Sequence, residues 1–333
     1  MCTSIFTTTL DGKHILSRTM DFSHPLDTTP VFMPRNFEWT SGVDSKSLKN
    51  KYSYIGAGGV LGSLYFVADG VNEYGLSIAE LYLPGEDVYQ EKEVDGKLNL
   101  APHELIMWLL GNCQSIDEVE KEIASINLMN IAVPELDIVT PLHWIITDTT
   151  GRCVAIEPTE PTLHLMDNPI GVMTNTPRLE WHITNLRNYL NVRPKQYEPR
   201  NFGEFKATPF SQGTGTSGLP GGYTPPERFV RAAFFKETIE SAKNESEGIN
   251  NAYHILNTVR IPKGIVVTDV DKSDYSLYVG SACNESKTYY YTSYENHEIT
   301  KLVLNDQLMA KTEPIIFKYD KKNEHFKELN ETV

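Results

Sequence analysis

The chain opens on two β-like runs. Residues 2 to 10 are apolar and β-branched, Asp11-Gly12 interrupts them, and His14 to Met20 resume the pattern. Asp-Gly between such runs is a strong hairpin signal. A two-residue turn there predicts a register with Asp21 opposite Cys2. In that register strict alternation sends Arg18 to the other face, so both reach Cys2 only if the strand bulges or ends near Asp21. Leu64 to Ala68 and Leu76 to Leu81 read as further strands, divided by Asp69-Gly70 and by Asn72 to Gly75. A helix with Leu105, Trp108 and Leu109 on one face follows Ala101-Pro102, and Ser115 with Glu118 forms a capping box for the next. Residues 142–147 and 152–157 predict a hairpin around Thr149-Thr150-Gly151, and Gly171 to Thr174 a short strand ending at Asn175. Helices are expected over 179–190, 227–241 and 249–259, with a Gly/Pro/Ser/Thr-rich loop over 200–226. Strands at 275–282, 287–294 and 299–304 close the pattern. Strands at both ends with helices in blocks between them predict an α+β fold of antiparallel sheets layered with helices, not βαβ alternation.

A length of 333 residues with 40% hydrophobic residues supports a sizeable buried core. No repeat or linker splits the chain, so a single domain over residues 2–333 is expected, with about 318–333 a charged, partly ordered tail. The net charge of −14 argues against a nucleic-acid partner and against a polybasic membrane contact. No run reaches the roughly 18 apolar residues of a membrane span. Lys13 and His14 interrupt the N-terminus before a secretory leader develops, so a cytoplasmic location is expected. The four cysteines, Cys2, Cys113, Cys153 and Cys283, form no C-x-x-C pair, and the nine histidines show no metal-ligand spacing. No metal or other cofactor is expected. Cys113, Cys153 and Cys283 read as buried reduced thiols. Gly213 to Gly218 matches G-x-G-x-x-G literally but lacks the preceding strand and following helix of a dinucleotide site. His143 and His182 read as hydrogen-bonded core histidines.

Cys2 is the candidate nucleophile. Loss of Met1 leaves a thiol and a free α-amine on one residue, and the amine, with an ordinary pKa near 8, serves as base for its own thiol. Arg18 and Asp21 are candidates to tune that pair. They read equally well as a surface ion pair. Asn175, at a strand end before Thr176-Pro177, is a candidate oxyanion donor or a turn cap. Arg228 begins a helix after Thr224-Pro225-Pro226. A cysteine hydrolase built on Cys153 or Cys283 with a histidine is the rival placement of the chemistry.

Taken together, these segments resemble the choloylglycine hydrolase family, which holds bile salt hydrolases and penicillin V acylases. The likeness runs nearly end to end, through Met1-Cys2-Thr3, Arg18 to Asp21, Ala68 to Glu73, Gly171 to Asn175, Gly213 to Gly221, Thr224 to Phe229, Tyr289 to Tyr291 and Tyr294 to Asn296. It implies a four-layer αββα sandwich of the N-terminal nucleophile hydrolase kind, a homotetramer, and metal-free hydrolysis of linear non-peptide amides through a thioester. By resemblance Cys2 is nucleophile and base, Arg18 and Asp21 tune and orient it, Asn175 and the Tyr82 backbone N–H form the oxyanion hole, and Arg228 supports the charged site. The family's bile-salt members tend to carry Asn at the position of Tyr82 and commonly Asp at that of Gly222. Tyr82 therefore points to a penicillin V acylase-like activity, with bile salt hydrolysis as the alternative and a catalytically silent binder of the same fold as the non-enzymatic one. The substrate is a small-molecule amide. Pocket walls are expected after Asp21 and around 56–66 and 130–140, where Phe22, Leu61, Tyr65, Ile131 and Val133 suit an apolar acyl group.

Overall fold

The computed structural model describes residues 1–24, 27–134 and 136–320, so most of the tail expected over 318–333 lies outside the described residues. Two antiparallel sheets stack face to face. The first runs in the order Val172–Met173, Cys2–Thr8, His14–Phe22, Ser273–Cys283, Thr288–Ser293, Thr300–Val303, with Val266–Val267 also pairing to Ser273–Cys283. The second runs Met166–Asp167, Cys153–Ile156, Leu142–Thr147, Ser77–Tyr82, Leu64–Asn72, Tyr54–Leu61, Thr29–Met33, Ile315–Ile316. Helices Pro225–Thr238 and Glu245–Asn257 cover the outer face of the first sheet, and Leu105–Asn112 with Ile116–Glu122 cover the second. The result is the four-layer αββα sandwich.

Sequence chemistry accounts for the helix boundaries. Pro225-Pro226 occupy the first turn of their helix, which needs no amide donor there. Asn244 caps the next helix by accepting from the Glu247 N–H, and Ser115 accepts from that of Glu118. The helix expected over 179–190 spans Leu179–Asn185 and tightens into a 3₁₀ turn at Leu186–Tyr189. The loop over 200–226 holds a small hairpin, Arg200–Phe202 with Phe205–Ala207.

Three departures from the sequence reading matter for function. The first hairpin pairs Cys2 with Met20, not with Asp21. Its connection is three residues, Leu10-Asp11-Gly12: the Thr9 N–H donates to the Lys13 carbonyl at 2.9 Å, and Gly12 takes φ +77°. That is a turn followed by a left-handed residue, so Asp-Gly ends a longer loop and shifts the register by one. Asp69-Gly70 is not a turn but lies inside the strand Leu64–Asn72. There a Cβ on Gly70 would sit 2.4 Å from the Ile55 carbonyl, and one on Gly56 would sit 1.9 Å from that of Asp69. Those glycines allow close strand approach, and with Gly58 and Gly59 they dilute the apolar signal of Tyr54–Leu61, a strand the pattern does not announce.

Candidate active site

Cys2 heads the first strand and is buried. In the observed register Cys2, Ser4, Arg18 and Met20 share one face, toward the second sheet. Arg18 is therefore the residue that reaches the thiol, its Nη2 lying 2.9 Å from Cys2 Sγ. The Asp21 carboxylate falls on the opposite face, where Thr19 Oγ1 donates to it at 3.0 Å and Ser276 Oγ also donates. The expectation that Asp21 stands across from Cys2 and Arg18 behind it is thus reversed, because a one-residue slip flips every side chain.

Two bulges complete the setting. Ser276 pairs with Asp21 and Tyr278 with Met20, leaving Leu277 as an extra residue. The bulge aims Ser276 at Asp21 and Tyr278 at Arg18. In the second sheet Ala57 pairs with Asp69 and Gly58 with Val67, leaving Ala68 extra. Asp69 then faces the interior and accepts from Arg18 Nη1 at 3.0 Å, while the hydroxyls of Tyr278 and Tyr289 donate to the same carboxylate. Burial opposes the charge on Arg18, but Tyr278, Cys2 and Asp69 hold its pKa well above the ordinary value. Arg18 is a permanent cation held against the thiol. Neither Asp69 nor Tyr278 stood out in the sequence. Asp69-Gly70 resembled turn punctuation, and no local signal marks a bulge.

Asn175 meets Cys2 from the end of Val172–Met173. Its Oδ1 accepts from the Cys2 N–H at 2.9 Å and from Arg228 Nη2 at 2.6 Å, and its Nδ2 donates to the Tyr82 carbonyl at 2.8 Å. One amide N–H remains for a reacting oxygen. Arg228 also donates to the Cys2 carbonyl and, at 2.6 Å, to Thr3 Oγ1. Burial pulls its pKa below the ordinary arginine value, while Asp21 and Cys2 act the other way. His143 and His182 are buried beside the Asn175 loop. His143 Nε2 lies 2.9 Å from the Thr174 carbonyl, and His182 Nε2 lies 2.8 Å from that of Asn175. Burial lowers the pKa of His182, so it donates as a neutral ring. Both histidines buttress the amide.

The other cysteines are chemically quiet. Burial pushes the thiols of Cys113 and Cys153 up to about 12 and that of Cys283 up to about 11. Such thiols are protonated at neutral pH, which removes support from a hydrolase built on Cys153 or Cys283.

A cavity of about 80 Å³ has Cys2 in its wall. Phe22, Leu61 and Val133 line it, with Met20, Tyr82 and Leu142. Tyr65 does not, because alternation along its strand sends Leu64 and Phe66 to the cavity and packs Tyr65 edge-on against Phe37. Ile131 is also outside the lining, its backbone turned back onto Met129. Drug-sized ligand sites span about 300–1,000 Å³. A Cβ on Gly222 would lie 2.2 Å from the Glu227 carboxylate, so an acidic side chain there would crowd a like charge.

A four-layer αββα sandwich whose first strand begins at a buried cysteine defines an N-terminal nucleophile hydrolase. A model of the linear amide C–N hydrolases, choloylglycine hydrolase family, matches residues 2–317, and the chain belongs to that family. It is a hydrolase of linear amides. A bile salt hydrolase/transferase of Clostridium perfringens is 35% identical over 96% of this chain and 98% of its own length. A conjugated bile acid hydrolase of Lactobacillus acidophilus is 32% identical over 95% and 100%. The crystal structure of the C2A conjugated bile acid hydrolase of C. perfringens superposes with a TM-score of 0.92 at 34% identity, covering 99% of this chain and 100% of that one. A penicillin V acylase from Agrobacterium tumefaciens shares the fold, with a TM-score of 0.72 at 21% identity over 93% and 89%.

Proposed function

We propose that this hydrolase cleaves the glycine or taurine amide of conjugated bile salts, with Cys2 as nucleophile. The carrying observation is likeness over nearly the whole chain to proteins named as bile salt hydrolases. A mostly apolar cavity with Cys2 in its wall agrees with it. This likeness outweighs the single position, Tyr82, that points toward penicillin V.

In this reading, loss of Met1 frees the Cys2 α-amine beside Asn175 Oδ1 and releases the Asp21 N–H, which otherwise donates to the Met1 carbonyl at 2.9 Å. Asp21 and Asn175 orient the amine. The amine takes the thiol proton, and the guanidinium of Arg18 steadies the thiolate. Sγ attacks the amide carbonyl. The free N–H of Asn175 and the Tyr82 backbone N–H hold the oxyanion. The amine returns the proton to the departing glycine or taurine nitrogen. Water then cleaves the thioester, releasing the acid and restoring the thiol. Arg228 holds the Cys2 carbonyl and Asn175 in place throughout.

Penicillin V is the second reading. Tyr82 and Phe22 both line the cavity with ring centroids 5.6 Å apart, an aromatic wall suited to a phenoxyacetyl group. Steady-state rates on glycine- and taurine-conjugated bile salts and on penicillin V decide between them. Faster turnover of penicillin V overturns the bile-salt assignment. Intact-mass measurement showing retained Met1, with no turnover of either, identifies a silent binder.

A further inference from the structure

The first sheet carries a second concavity on its outer face, away from the Cys2 cavity. It is a groove of about 690 Å³ between the end of the helix Glu245–Asn257 and the end of the strand Thr288–Ser293, and the two spaces share no lining residue. Its volume falls in the range of ligand sites, about 300–1,000 Å³. The chain has 44 acidic residues against 30 lysines and arginines, yet no Asp or Glu lines this groove among the described residues. Glu295 and Glu298, close to His297 in sequence, lie outside the lining. The cation in the groove is Arg260. It makes no ion pair among the described residues, and its hydrogen bonds, to Asn257 Oδ1 at 3.5 Å and to the Ser293 carbonyl at 3.4 Å, are both long.

Partial burial leaves this cation short of partners. It pulls the Arg260 pKa below the ordinary arginine value, with Tyr253 and Asp21 acting the other way. A partly buried guanidinium with five N–H donors and no carboxylate in reach matches an oxyanion, which can accept two of those donors side by side. The surroundings add apolar surface, since Ile299 is 45% exposed at the same groove, beside Pro262 and Tyr294. An inorganic ion would leave that surface in water, whereas an anion with an apolar body covers it. The backbone next to the cation is fixed. The Ile261 N–H donates to Ser276 Oγ at 2.9 Å, and the Ile261 carbonyl accepts from the Ser276 N–H at 3.1 Å. We propose that this groove is an accessory binding site for a small organic anion, a carboxylate or sulfonate carried on an apolar ring, with Arg260 as its counter-ion.

The test titrates naphthalene-2-carboxylate and naphthalene-2-sulfonate into the protein by calorimetry. Naphthalene-2-carboxamide is the uncharged control, and inorganic sulfate is the control without a ring. Cys2 is first alkylated with iodoacetamide, so that the catalytic cavity is filled. The naphthalene anions should bind saturably, and both controls should bind about tenfold more weakly or less. Arg260→Met keeps the apolar stem and should weaken the anions about tenfold while leaving the carboxamide unchanged. Ile299→Glu, at an exposed position, places an acid in the groove and should weaken the anions in the same direction. Equal affinity for anion and carboxamide, or binding of neither anion, overturns the assignment without any variant. Affinity undiminished in Ile299→Glu and in Arg260→Met overturns it as well, because the anion then sits elsewhere.

Discussion

Asp69 and Arg18 meet at 3.0 Å inside the sandwich, and the other arm of the same guanidinium reaches the Cys2 thiol at 2.9 Å. The carboxylate lies in the second sheet and the arginine and thiol in the first. The pair therefore ties the nucleophile of one sheet to a charge on the other, and Arg18 is held on both sides.

Asp69→Asn should be costly. It leaves Arg18 buried without its counter-charge, and breaking one partner of a buried pair typically costs about 3–5 kcal/mol. Thermal unfolding should show a clear fall in Tm. Alkylation of Cys2 should slow in step, because the guanidinium is no longer pinned to the thiol. An unchanged Tm with unchanged alkylation would sink the Asp69–Arg18–Cys2 coupling.

Asn175→Ala removes the side-chain donor proposed for the oxyanion. The expected loss in kcat is about 10²–10³, with a much smaller change in KM. A loss confined to KM would show that the amide binds substrate and leaves the oxyanion to other groups.

Labelling should be selective for Cys2. At pH 7.5, iodoacetamide should modify Cys2 and spare Cys113, Cys153 and Cys283, whose thiols burial holds at about 12, 12 and 11. Peptide mapping reads this directly. Modification of Cys153 or Cys283 ahead of Cys2 would reinstate the rival nucleophile.

His103 links stability to pH. Burial lowers its pKa from the ordinary 6.5 to about 4, so the unfolded chain binds its proton first as pH falls. Its neutral folded form is accommodated above pH 6.5, and stability is lost as pH drops from there through about 4. The full effect is about 3 kcal/mol. Glu80, raised by burial, works in the opposite sense by losing stability as pH rises above the ordinary glutamate range. The measurement is therefore a difference: His103→Phe against wild type, by urea unfolding at pH 7 and pH 4.5. The wild type should lose more stability over that interval than the variant. Equal losses would place the imidazole in contact with water.

Much of the frame was legible in the chain. The cap residues Ser115 and Asn244, the prolines at 225 and 226 and the β-branched runs act through neighbours close in sequence, so the helices and most strands follow from local chemistry. Met-Cys at the start, with Arg18, Asp21, Asn175 and Arg228 in separated motifs, was enough to point at the family and at a thiol nucleophile. The register was not legible. Whether Asp-Gly closes a two-residue or a three-residue loop depends on how the strands dock, and that single step decided that Arg18, not Asp21, faces the Cys2 thiol. The bulges at Ala68 and Leu277 are likewise settled between strands far apart in sequence, and they alone turn Asp69 and Tyr278 toward the arginine. The chain by itself marked the candidate residues and the local elements that hold them. Packing between distant segments decided which of them face one another.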